Sequence, residues 1–247
     1  MSLETIIGPL DEVLPFFKPD TIQHAAEITN QRRTHDDESV REELINNWFW
    51  TADSLLYRFE DGEAVLYLGD RTTNLIFENI GKAADQLKTN GNYFPSSEDI
   101  KRVLDSEKKG NALRIRLSEL GLERYDNEYS YLEINPLNYN RLTKPQKEFA
   151  ERIYGQGDDF KENMKMLYDV EIGKNIRRTR IHVLNPDYVK RNVREDSAGK
   201  VTKENSAIAR ACWLYSLYLD SDFIAIGRYL TNYNGLRGVL KNRRRLQ

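Results

Sequence analysis

Apolar residues recur along most of this chain at intervals of three and four, the spacing that lines one face of a helix. Asp20 to Thr34 opens with an acidic cap and Gln23 three residues on, then turns Ile22, Ala25, Ala26 and Ile28 inward. Asp36-Asp37-Glu38 places negative charge where a helix dipole favours it. Behind it, Val40, Leu44, Trp48, Ala52, Leu55 and Phe59 form one apolar stripe that Gly62 is placed to end. Trp48, Phe49 and Trp50 read as core plus one exposed ring. Glu63 to Leu68 is rich in β formers and predicts a short strand, and Thr73 to Lys88 returns to helical spacing.

Pro95 to Asp99 is a strong helix start leading into Ile100, Val103 and Leu104. After a polar loop, Leu113, Leu117 and Leu120 predict a second helix over 111–120, closed by Gly121. Leu122 to Asp126 and Tyr129 to Ile134 read as a hairpin. Helix, helix and hairpin follow in the order of a winged helix–turn–helix, with Arg114 and Arg116 on the reading helix. Thr143 and Gln146 box the start of a helix that Gly155 stops, and Asp159 and Glu162 begin another. Ile176 to Leu184 alternates as a strand, with Ile181 and Val183 on one face and Arg178, Arg180 and His182 on the other. Asn185-Pro186-Asp187 starts a short helix, 195–205 is a polar linker, Ala207 to Leu219 reads as a buried helix, and Ser221-Asp222 caps another.

These elements predict an α+β protein that is predominantly α-helical with few short strands, and with a winged-helix-like unit in the middle. Three regions follow: an acidic helical part over 1–92, the helix–helix–hairpin over 93–136 and a basic α/β part over 137–247, together able to form one compact unit.

Composition narrows the class. The 247 residues are 39 % hydrophobic and 31 % charged, which excludes a disordered chain and a disulfide scaffold. One cysteine, Cys212, cannot bridge within the chain, so the expected home is reducing and cytoplasmic. The apolar run over 207–219 is 13 residues long, short of the ~18 a bilayer needs, so no membrane partner is expected and no targeting segment is seen.

The formal net charge of −2 conceals a gradient: residues 1–90 sum to −9, 91–170 to −2 and 171–247 to +9. A basic third points to a polyanion. Arg177, Arg178 and Arg180, then Lys190, Arg191 and Arg194, and the tail Arg243, Arg244 and Arg245 are its candidate phosphate ligands. Tyr188, Tyr229 and Tyr233 lie among them as stacking candidates.

Signature chemistry is missing from the letters. The sequence has no phosphate loop, HExxH, GxSxG or CxxC. His24, His35 and His182 lack metal-ligand spacing, so neither a metal nor a cofactor is implied. Cys212, inside an apolar run, reads as an inert thiol. The expectation is a protein that binds or processes DNA or RNA through its basic third. A second reading is an assembly module whose opposite charges pair, within the chain or between copies in self-association. A third is an enzyme acting on an anionic substrate, with His182 as its catalytic candidate beside Arg178 and Arg180.

Overall fold

The structure is a computed structural model, and it describes residues 5–8, 22–69, 75–79, 81–83, 86, 92–134, 139–168, 178–194, 206–217, 220–225 and 236–239. Among them, local signals set the helix starts. Helix α1 (Ala25–Thr34) follows His24, whose N–H donates to Glu27. Asp37 caps α2 (Glu38–Asn46) by accepting from Ser39 N–H at 2.9 Å. Short α3 (Leu75–Glu78) precedes α4 (Ser97–Lys108), capped by Ser96. Thr143 and Gln146 form the expected capping box of α5 (Lys144–Tyr154), followed by α6 (Gly157–Tyr168). Asn185 caps α7 (Pro186–Asn192) through Asp187 N–H at 2.8 Å.

Ten strands join in one sheet. They are β1 (Thr5–Gly8), β2 (Phe49–Glu60), β3 (Glu63–Gly69), β4 (Ala112–Arg116), β5 (Glu123–Arg124), β6 (Tyr129–Ile134), β7 (Arg178–Leu184), β8 (Ile208–Leu217), β9 (Asp220–Ala225) and β10 (Leu236–Val239). The order is β1-β10-β2-β8-β9-β7-β6-β5, with β3 and β4 branching from β2. Most pairs are antiparallel; β10 with β2 and β7 with β9 are parallel. Asp61 and Gly62, at φ 49° and 82°, turn β2 tightly into β3, the conformation an Asp-Gly hairpin favours.

Around β2, β3 and β8 the sheet is covered on both faces. Leu55, Tyr57, Cys212 and Leu214 pack with α1, α2, α5, α6 and α7 through residues such as Ile28, Leu44, Phe149, Phe160 and Val189. Their neighbours Trp50, Leu56, Ala209 and Ala211 face the other way, onto Ile76, Ile100, Val103 and Leu104. Charged groups enter this interior with polar partners: Arg32 of α1 is buried and donates its Nε to the Leu44 carbonyl at 2.9 Å. Arg58 is wholly buried against Glu60, which also accepts from Tyr67 Oη and Arg114 Nη2, each at 2.8 Å. A buried charge survives only with such partners.

The expectation of a predominantly helical chain is overturned: the described residues hold ten strands beside seven α-helices. The stripe from Val40 to Phe59 breaks at Asn46, and its second half is β2, buried at every position. The run 207–219 is largely β8, and the segment after Ser221-Asp222 continues β9. A strand buried on both faces shows no alternation, so its apolar run imitates a helix. The winged-helix reading fails as well. Residues 112–116 of its reading helix are strand β4, followed by one 3-10 turn, and Arg114 and Arg116 pair with Glu60 and Glu63 of the adjoining hairpin.

Candidate functional site

Strand register gathers a row of side-chain positions across six strands. Trp50 lies opposite Trp213, Trp213 opposite Ile224, Ile224 opposite His182, His182 opposite Tyr131, and Tyr131 opposite Glu123. Directly opposed residues share a face, so this is one row on one side of the sheet. At the β2–β8 end the indoles of Trp50 and Trp213 stack at 5.7 Å, and Trp48 meets Trp213 edge-on at the same distance. This end belongs to the second core layer.

Toward β6 the row reaches the surface. The His182 ring lies 5.7 Å from Tyr131 and 5.4 Å from Tyr125, which stands edge-on to it. Tyr125 is 62 % exposed, the exposed large hydrophobic residue among the described ones. Tyr131 Oη donates to Glu123 at 2.6 Å, and that bond raises the phenol above its ordinary pKa. The Arg180 guanidinium lies 4.6 Å over the Tyr131 ring, with its Nε 3.8 Å from Glu133. Aromatic, cationic and anionic groups thus interleave on a half-exposed face of β5–β7.

The rim of this face is held from beneath. Asp126 accepts from the N–H groups of Glu128 and Tyr129, both at 2.7 Å, which fixes the β5–β6 turn. Asn185 N–H donates to the Glu128 carbonyl at 2.7 Å. Below, Arg210 of β8 is fully buried and donates to Glu128 at 2.7 Å, Asn92 at 2.6 Å and Tyr129 at 3.2 Å. One guanidinium therefore ties β6, α7 and residue 92 together.

The residues expected to bind phosphate have scattered fates. Arg178 and Arg180 lie on β7 as expected, but β7 is flanked by acidic positions: Arg178 is in register with Asp220, and Arg180 with Asp222 and Glu133. Lys190, Arg191 and Arg194 are exposed on and after α7, where Arg191 donates to the Asn127 carbonyl at 3.2 Å and Lys190 lies 5.8 Å over Phe59. Tyr188, a stacking candidate, is half-buried, and its hydroxyl exchanges hydrogen bonds with Asn92. Arg177, Tyr229, Tyr233, Arg243, Arg244 and Arg245 lie outside the described residues. His182 is 7 % exposed and framed by two tyrosines. Burial pushes the Cys212 thiol well above its ordinary pKa, away from the thiolate form that reacts.

Sequence reasoning missed Tyr125 and Tyr131; their period-2 placement in the predicted hairpin was the usable signal. Among the described residues no group of three or more His, Cys, Asp or Glu is placed to hold a metal, and no helix is long and apolar enough to cross a membrane.

No family model matches the sequence, and no curated protein matches it. A solved structure does resemble this one, described as "Accommodation of massive sequence variation in Nanoarchaeota by the C-type lectin fold". The two superpose with a TM-score of 0.58 over 97 % of this chain and 98 % of that one, at 14 % sequence identity. The likeness is one of fold: the C-type lectin fold. An α+β C-type lectin fold built on an extensive sheet replaces the helical architecture the sequence suggested.

Proposed function

We propose that this chain is a non-catalytic recognition protein that uses a C-type lectin fold to bind a protein partner through the face around Tyr125, Tyr131, Arg180 and His182. The observation that carries the reading is the ring cluster on β5–β7, where exposed Tyr125 stands edge-on to His182, Tyr131 also neighbours that ring, and Arg180 stacks on Tyr131. Tyrosine and arginine are the side chains enriched where proteins recognise proteins, since each offers a large contact area with a polar end. Interleaved Glu123 and Glu133 favour a partner of mixed charge over a uniform polyanion, whose phosphates they would repel. The similar structure is described as accommodating massive sequence variation. For this chain the matching division of labour is an interior fixed by ion pairs such as Arg58–Glu60 and a face whose side chains set specificity.

A photo-crosslinking residue at position 125 tests it in extract of the source cells. The expected result is a discrete protein adduct that survives nuclease, disappears with Arg180→Ala, and does not form when the probe sits at Lys165 on α6. No adduct, the same adducts from both positions, or an adduct lost to nuclease would overturn the reading; the last would favour nucleic-acid binding through Lys190, Arg191 and Arg194.

A further inference from the structure

Among the described residues three arginines, Arg32, Arg58 and Arg210, are at most 1 % exposed. Two of them meet a carboxylate, Arg58 with Glu60 and Arg210 with Glu128. Arg32 of α1 is different. Its Nε donates to the Leu44 carbonyl at 2.9 Å, in the last turn of α2, where helix carbonyls lack intrahelical donors. That bond fixes the guanidinium against the end of α2 and uses one of its five N–H groups. Nη1 and Nη2 are buried as well, and neither has a hydrogen-bond partner among the described residues.

Neighbouring groups do not supply the counter-charge. Arg33, the next residue, lies on a different side of α1, and it takes Asp159 at 2.7 Å and Asn163 at 2.9 Å. The neighbour that favours charge on Arg32 is Tyr154, also buried, which is a phenol and not a carboxylate. Burial pushes the guanidinium down to about 10, which still leaves it a cation at neutral pH. A charge in the interior is tolerated only when it is paired and hydrogen-bonded. Nη1 and Nη2 form one edge of a planar fork, so a single acceptor set between them takes a hydrogen bond from each. A singly charged anion there neutralises the group, whereas a dianion leaves a buried negative charge in its place. Close packing around so buried a group admits nothing larger than an ion.

We propose that the Nη1–Nη2 edge of Arg32 is a buried binding site for a monovalent inorganic anion of halide size. The ion supplies to Arg32 the counter-charge that Glu60 and Glu128 supply to Arg58 and Arg210. This site is independent of the sheet face around Tyr125, and either can fail without the other.

Chloride is the probe, exchanged for gluconate at constant ionic strength while the full chain is unfolded in urea. An anion held by the folded state alone stabilises it by mass action. Raising chloride from about 2 to about 200 mM should therefore raise the folded-to-unfolded ratio at least about fivefold, for a dissociation constant of about 40 mM or tighter. Arg32→Met keeps a side chain of similar length, and the same exchange should leave only the general salt effect, a change below about twofold. A second measurement does not need the variant to fold: crystals of the parent chain grown in bromide should show an anomalous peak within hydrogen-bonding reach of Arg32 Nη1 or Nη2. No chloride response in the parent, an equal response in parent and variant, or water instead of bromide at that edge would overturn the proposal.

Discussion

Arg210→Met removes the guanidinium that supports the recognition face while leaving a side chain of similar length. Arg210 is wholly buried and Glu128 has a side chain only 13 % exposed, so the loss takes the counter-charge from a nearly dry carboxylate, to which Tyr129 Oη still donates at 3.0 Å. Breaking a buried pair from one side costs about 3–5 kcal/mol. At roughly 2–4 °C per kcal/mol for a chain of this size, the thermal midpoint should fall by about 6–20 °C. The second arm is Arg210→Met with Glu128→Gln. Replacing both partners of a buried pair is often near neutral, so the double variant should recover most of the loss, a coupling of about 2 kcal/mol or more. Calorimetric or circular-dichroism melts of the four proteins measure the cycle. A single variant melting within about 2 °C of the parent, or a double loss equal to the sum of the singles, would refute the assignment of Arg210 as the charge that holds the rim.

Acid titration tests the contact between His24, at the start of α1, and buried Asp53 on β2, whose Nδ1 and Oδ1 are 3.1 Å apart. Burial alone would raise the Asp53 carboxyl, but the hydrogen bond and charge of His24, with the Ala25 N–H, more than offset it and hold the group below its ordinary value. A depressed carboxyl contributes stability that is complete above the unfolded pKa of about 3.9 and is lost as pH falls through the folded one. Asp53→Asn should therefore flatten the loss of stability on acidification, measured by urea unfolding; equal acid sensitivity in the two proteins would sink the argument. At Gly69, an added Cβ would lie 2.4 Å from Ala112 Cα and 2.5 Å from the Asn111 carbonyl oxygen. Gly69→Ala should cost about 1–3 kcal/mol in the same assay, through strain on the β3–β4 pairing, and an unchanged midpoint would show that β4 yields freely.

Much of the local structure is legible in the letters because it depends on near neighbours. Ser96, Thr143 and Asn185 cap helices by bonding backbone two or three residues away, so those starts needed no tertiary contact. The β5–β6 hairpin and the alternation of β7 were readable for the same reason. The errors fell where a strand is buried on both sides. In β2 and β8 the usual sign of a strand, alternation, is absent, and Asp61-Gly62 was the overlooked signal that a hairpin follows. An apolar run containing Arg210 looked like an interrupted helix, because the letters do not disclose that Glu128, 82 residues away in sequence, supplies the counter-charge.

The charge gradient marks the limit most clearly. The sequence by itself determined that the last third carries a net +9 and that arginines recur on one face of β7. Register then decided which positions lie beside them: Glu133 on one neighbouring strand, opposite Arg180, and positions 220 and 222, both aspartate, on the other. Net charge is additive along a chain, whereas the field at a surface depends on which strands lie side by side. That pairing is set by non-local hydrogen bonding and by which faces must be buried, and only the folded sheet specifies it.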